Sequence, residues 1–196
     1  SLHEHTNVTI KKTKQGFFHY TFDEPKVTVR QEETIKLPPA PDEKIQSYWV
    51  NPPHASVTIK KTKEGFHYIL NEPKLTVREE KTLELLRERL YSEFSVKSIP
   101  DSPFKSQELL RREVFRILNE LGSTEQTVGK LYYYVLRDKG YGKIDALIRD
   151  PNVEDISCPK AHNPVFVYHR TVEYVDTNIS FTPEELDDFI IRLAYM

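Results

Sequence analysis

Cysteine occurs once in the 196 residues, at Cys158, and methionine once, at Met196. A lone thiol excludes an intrachain disulfide and a thiolate zinc cage, and it suits a reducing compartment. An excess of charge of one sign is lacking too. Lys and Arg number 28 against 30 Asp and Glu, a formal charge of −2, so no bulk attraction draws the chain onto nucleic acid or anionic lipid. No apolar run approaches the roughly 18 residues of a membrane span, and nothing has the form of a signal peptide. The seven histidines, at positions 3, 5, 19, 54, 67, 162 and 169, never take the H-E-x-x-H spacing of a zinc site, and no metal is implied.

Catalytic signatures are equally scarce. There is no Ser/His/Asp arrangement and no Rossmann glycine pattern. The stretch from Gly122 to Gly129-Lys130 invites a P-loop reading, but a phosphate cradle needs glycine where Thr124 stands and a magnesium-binding hydroxyl where Leu131 stands. These residues also fall inside an expected helix, where the amides are already occupied. The expectation is a chain with no catalytic residues of its own.

What the chain does have is aromatic and apolar content: ten Phe, eleven Tyr, one Trp and 38% hydrophobic residues. That is enough to fold, as one large domain or as two small ones of about 100 residues each. Its ends read as those of a piece. Ser1-Leu2 has the look of a vector scar, and a helix opening at Thr182 is still running, apolar face intact, at Met196.

An internal repeat organises the first half. Val8–Arg30 recurs as Val57–Arg78, one residue shorter, which is duplication rather than chance. Each copy reads as a β-branched strand, a turn at Gly16 or Gly65, an aromatic strand through Tyr20 or Tyr68, and a Glu-Pro stop. Two copies side by side predict a four-stranded sheet, since a lone hairpin is marginal in water; exchange between two molecules would meet the same need. Thr28 with Gln31 and Thr76 with Glu79 have capping-box spacing, so each copy should start a helix. In the second copy it runs from Val77 to about Phe94, with Leu83, Leu86, Leu90 and Phe94 on one stripe. In the first, Pro38-Pro39-Ala40-Pro41 halts it within about two turns. Lys11-Lys12-Thr13-Lys14 and Lys60-Lys61-Thr62-Lys63 fit either a phosphate-binding surface or a solvated hairpin edge whose lysines discourage strand pairing.

The middle reads as helical. Ser106 precedes Leu109, Leu110, Val114, Ile117, Leu118 and Leu121, with Gly122 as the stop. Ser123 and Gln126 form a second capping pair, opening a helix through Leu131 and Val135 that ends near Gly140, and the two should pack antiparallel. Tyr132-Tyr133-Tyr134 suggests a base-stacking platform, but neighbours on a helix point about 100° apart and cannot share a face, so core packing with one exposed ring is expected.

From Gly140 a short helix ends at Asp150-Pro151, followed by a strand to Cys158, strands at Pro164–Arg170 and Val172–Val175, and a helix opened by Phe181, Thr182, Pro183, Glu185 and Leu186 as staple, N-cap, first-turn proline and capping box. In this last third the sequence resembles the archaeal branch of the type II/type IV secretion ATPases, the secretion, pilus and archaellum motors. The matching text is Gly142-x-Ile144-Asp145, then Arg149-Asp150-Pro151-x-Val153-Glu154-Asp155-Ile156, Pro164-Val165, His169-Arg170, Thr177-Asn178-Ile179-x-Phe181 and Glu185-Leu186-Asp187. Tyr48 to Glu79, with its Pro-Pro, Tyr and Glu-Pro-x-Leu-Thr, resembles the upstream segment of that branch, whereas the extra copy at Val8–Arg30 departs from it.

The resemblance implies an amino-terminal regulatory and docking region of a hexameric, ATP-binding, protein-transport motor. ATP and Mg would be bound mainly by a RecA-like domain outside this chain, which makes the full-length parent an ATPase and this piece alone inactive. The implied partners are further copies of the chain and a polytopic membrane platform protein, with no nucleic acid and no direct membrane insertion. The implied location is cytoplasmic and peripheral. Arg170, beside His169 at a strand end, is the candidate to reach nucleotide phosphate across the boundary to the motor domain, because a guanidinium fork binds phosphate with two hydrogen bonds; the alternative is a surface ion pair with Glu173 or Glu154. Glu154 and Asp155 read as solvated charges, Asp145 as an acid of an early helical turn interacting with the dipole, and Cys158 as a small buried side chain. The rival to the motor reading is a non-enzymatic protein-interaction module unrelated to secretion.

The expected fold is α+β. Residues 1–99 should form duplicated β-hairpin units with a packing helix. Residues 100–196 should form a helical hairpin and a small mixed sheet covered by a C-terminal helix.

Overall fold

A computed structural model of the protein describes residues 7–12, 18–23, 43–96 and 103–194. The fold is α+β. The strands are β1 (Asn7–Lys12), β2 (Phe18–Asp23), β3 (Glu43–Asn51), β4 (Ala55–Lys61), β5 (Phe66–Asn71), β6 (Val153–Cys158), β7 (Pro164–His169) and β8 (Glu173–Ser180). The helices are α1 (Val77–Val96), α2 (Pro103–Glu120), α3 (Glu125–Lys139), α4 (Asp145–Arg149) and α5 (Pro183–Ala194), with a 3-10 turn at Gly142–Ile144. They fall into two compact units, Ser1–Glu72 with Tyr141–Met196, and Pro73–Gly140.

Among the described residues, the first unit is built on one eight-stranded sheet of order β2-β1-β6-β7-β8-β5-β4-β3. Alternation decides its faces. Val57, Ile59, Tyr68, Leu70, Val165, Val167, Val175 and Ile179 are buried, while Tyr174 and Trp49 are exposed. The buried residues of α4 and α5, among them Leu147, Leu186, Phe189 and Leu193, belong to the same unit. Helix α5 starts as expected: Thr182 N–H donates to Glu185 Oε2 at 2.9 Å and Glu185 N–H donates to Thr182 Oγ1 at 3.2 Å.

Both hairpins form, but they do not pair with each other. β1 lies antiparallel to β6, and β5 lies parallel to β8, so the copies flank the three-stranded meander β6-β7-β8 from opposite sides. The four-stranded sheet expected from the repeat is thus replaced by a larger one, because the meander offers two edges that each need a partner. The strand β3 was not foreseen; it covers the far edge of β4. In the second hairpin Gly65 adopts φ +131°, a region L side chains avoid, which fixes the turn. The shortened helix expected after the first copy lies outside the described residues, as do Thr13 and Lys14.

The second unit is a three-helix bundle. Leu83, Leu86 and Leu90 of α1, Leu110, Val114, Ile117 and Leu118 of α2, and Val128, Leu131 and Val135 of α3 form one buried cluster. The expected division near 99–100 differs from the observed one, since α1 belongs to the second unit, where its stripe packs on α2 and α3. Two caps also shift. Helix α2 begins at Pro103, a turn before Ser106, with proline in the first turn where its missing N–H costs nothing. Helix α3 is capped by Thr124 rather than Ser123, with Thr127 N–H donating to Thr124 Oγ1 at 3.3 Å. Of the three tyrosines, Tyr133 is buried and Tyr132 and Tyr134 are half-buried, Tyr134 donating its hydroxyl to Pro73 O at 2.6 Å. No helix among the described residues is long and apolar enough to cross a membrane.

Candidate functional site

A densely bonded polar group among the described residues of the sheet unit centres on Asp150. Pro151 cannot continue α4, so the chain turns, and Asp150 ends the helix with its N–H on Ala146 O and Leu147 O. Its Oδ1 accepts from Asn152 N–H at 2.8 Å, an Asx turn. Its Oδ2 accepts two tyrosine hydroxyls, Tyr48 at 2.6 Å and Tyr68 at 2.9 Å.

His169, at the end of β7, completes the group. Thr171 N–H donates to its Nδ1 at 3.2 Å, so that nitrogen is bare and Nε2 carries the proton. Nε2–H then donates to Tyr48 Oη at 3.0 Å, and Tyr48 in turn donates to Asp150. Asp150, Tyr68 and His169 are fully buried. Burial, reinforced by the Asp150 charge, raises both tyrosines far above the ordinary phenol range. Burial lowers His169, with Asp150 opposing. The result is two neutral phenols, a neutral imidazole and a carboxylate with both oxygens engaged. Such a group holds elements in register; it offers neither a free base nor an accessible nucleophile.

The two residues singled out for phosphate therefore part company. His169 has both nitrogens occupied and no exposed surface, which removes it as a phosphate contact. Arg170 follows it into solvent, with Nε donating to Glu154 Oε1 at 3.0 Å, both side chains about half exposed. Asp155 lies 3.8 Å from Lys11 Nζ. Asp145 opens α4 as the acid of its first turn, as expected, and is buried, accepting from Arg149 Nε at 2.6 Å. Cys158 is buried, which pushes its thiol up to about 12. Sequence reasoning passed over Tyr48, Tyr68 and Asp150. The available signals were the Asp-Pro-Asn turn and a tyrosine kept at the same place in both repeats.

In the helical unit, Lys130 is bound to Glu79 Oε1 at 2.8 Å and donates to Lys74 O at 3.1 Å. With Gly129 and Lys130 inside α3, this stretch does not fit ATP phosphates. No group of three His, Cys, Asp or Glu among the described residues is arranged to hold a metal ion.

Glu79 also closes the capping box of α1, accepting from Thr76 N–H at 2.8 Å while its own N–H donates to Thr76 Oγ1 at 3.2 Å. The hydrogen bond from Lys130, then that from the Thr76 backbone, lower its carboxyl to about 2. A depressed carboxylate stabilises the fold above its unfolded value of about 4.5 and loses that contribution as pH falls through about 2. Glu79→Gln should then cost the helical unit about 1–2 kcal/mol at neutral pH, allowing for solvent screening. Thermal unfolding followed by far-ultraviolet circular dichroism should show the gap to wild type closing toward pH 2. An equal gap at both pH values would contradict the charge-based account.

No family profile matches the chain. An uncharacterized protein of Methanocaldococcus jannaschii is 46% identical over 94 residues, a stretch covering 46% of this chain and 37% of that relative. The chain thus spans little more than a third of the length of the relative it matches.

Proposed function

We propose that the chain is the amino-terminal regulatory and docking region of a hexameric secretion or pilus-assembly ATPase of the archaeal type II/type IV group. ATP and Mg are bound, and ATP hydrolysed, by a motor domain outside these residues, and the region couples that hydrolysis to a polytopic membrane platform protein. The observation that carries this reading is the meeting of the two stretches in which the resemblance lies. The upstream one supplies Tyr48 and Tyr68, the downstream one Asp150 and His169, and the four side chains form one hydrogen-bonded group in which Tyr48 is half-buried and the other three are fully buried.

The test is to express the parent gene product with the residues that follow Met196 and to measure ATP turnover beside that of this chain. A Walker A motif within roughly 80–120 residues of that point is expected, given usual domain sizes, with turnover in the parent and none here. Lack of both the motif and turnover would leave the non-enzymatic interaction module standing. Turnover by this chain that survives Lys130→Ala would contradict the division of labour.

A further inference from the structure

The repeat places the same sequence on two different edges of one meander, and the two junctions can be compared residue by residue. His19, Tyr20 and Phe22 of the first copy stand where the second has His67, Tyr68 and Leu70. The hairpins share one internal register: Ile10 faces Tyr20 and Lys11 faces His19, as Ile59 faces Tyr68 and Lys60 faces His67. They differ in the strand offered to the meander. The first gives β1 to β6, which leaves β2 as an outer strand of the described sheet, whereas the second gives β5, the counterpart of β2, to β8.

The β5–β8 junction is short in backbone terms, with two parallel pairs, His67 to Asp176 and Tyr68 to Thr177. Side chains complete it. His67 Nδ1 lies 2.6 Å from Asp176 Oδ1, Tyr68 donates to Asp150, and the Asn178 amide brackets the Leu70 backbone, accepting from its N–H at 2.8 Å and donating to its O at 2.9 Å. The requirements are therefore a histidine, a tyrosine one residue on, and any backbone two residues further. His19, Tyr20 and Phe22 meet all three in the strand whose outer edge corresponds to the β8-facing edge of β5.

We propose that the two hairpins are alternative occupants of the β8 edge, the first exchanging for the second within one chain. The resident hairpin has the advantage of β3 and of the Tyr48 bond to Asp150, so the exchanged arrangement is the minor one. Exchange acts as a switch. The second hairpin runs at Pro73 into the segment leading to α1 and the first runs into residues 24–42, so the occupant of β8 sets which segment leaves the sheet there.

Position 19 is four strand spacings from position 176 in the observed order, roughly 19 Å, beyond the ~7 Å over which a disulfide closes. In a Cys158→Ala background, His19→Cys with Asp176→Cys should nevertheless form a bridge within the monomer under slow oxidation, with His67→Cys/Asp176→Cys as the rapidly closing control. Tyr68→Phe, which removes the resident's hydroxyl, and separately Gly65→Ala, which strains the resident's turn without touching the first hairpin, should each raise the yield of the 19–176 bridge about five- to tenfold. Failure of that bridge in every background while the 67–176 control closes would overturn the proposal. So would a bridge found in dimers alone, which would assign the edge to a second copy instead.

Discussion

Asp150→Ala should destabilise the sheet unit by about 3–5 kcal/mol, because it strands the buried Tyr68 hydroxyl, the half-buried Tyr48 hydroxyl and a backbone N–H and breaks the chain of bonds that ends on His169. In a chain of this length that corresponds to a fall of roughly 10 °C in melting temperature. Tyr68→Phe removes one donor and should cost nearer 1–1.5 kcal/mol, whereas Tyr48→Phe also takes away the acceptor of the buried His169 Nε2–H and should cost about 1.5–2.5 kcal/mol, both less than Asp150→Ala. The single tryptophan, Trp49 on β3, reports this unit selectively in a urea titration followed by fluorescence. A loss under about 1 kcal/mol for Asp150→Ala would show that water takes over the orphaned groups. The pH profile follows the same bonds. Both tyrosines keep their protons above the ordinary phenol value of about 10, so their stabilisation is complete below that pH and fades as pH rises beyond it. His169, lowered by burial, makes folding less favourable as pH drops below its unfolded value of about 6.5.

That group could not be read from the sequence because nothing local specifies it: its bonds join residues 102 and 82 positions apart. Features that depend on a few neighbouring residues were legible. The Thr182–Glu185 capping box, the Gly65 turn and the extent of α1 follow from hydrogen bonds closed within a turn or two. Partner choice was not. The strip Val-Thr-Ile-Lys is identical at Val8–Lys11 and Val57–Lys60, yet one copy lies on β6 and the other between β3 and β5. A strand edge presents the same backbone donors and acceptors whatever lies opposite, and alternation fixes the buried face without fixing the neighbour. The stripe of α1 likewise announced that something packs there, and its misassignment to the hairpins placed the boundary near residue 99. Strand β3 stayed hidden because its two register irregularities, between Lys44 and Gln46 and between Trp49 and Asn51, break the alternation that would have marked it.

Arg170 is where the proposed motor function and the geometry of this chain meet most directly. Its guanidinium already makes one charge-assisted bond, to Glu154, in a half-exposed setting, where a surface pair contributes roughly 0–1 kcal/mol. Replacing it should therefore leave the melting temperature nearly unchanged. If the same side chain binds nucleotide phosphate in the full-length parent, Arg170→Ala should weaken ATP binding by about ten- to a hundredfold, the value of a charge-assisted bond of roughly 1.5–3 kcal/mol. Glu154→Gln sharpens the comparison: releasing the guanidinium from its carboxylate should strengthen nucleotide affinity, whereas a purely structural pair would show small, equal stability losses on either side and no change in nucleotide binding. The measurement is an ATP titration of parent, Arg170→Ala and Glu154→Gln at one salt concentration, with thermal unfolding of each as the folding control. Unaltered affinity in Arg170→Ala would confine Arg170 to its pair with Glu154 and, since His169 is buried, leave the described residues with no named contact to the motor domain.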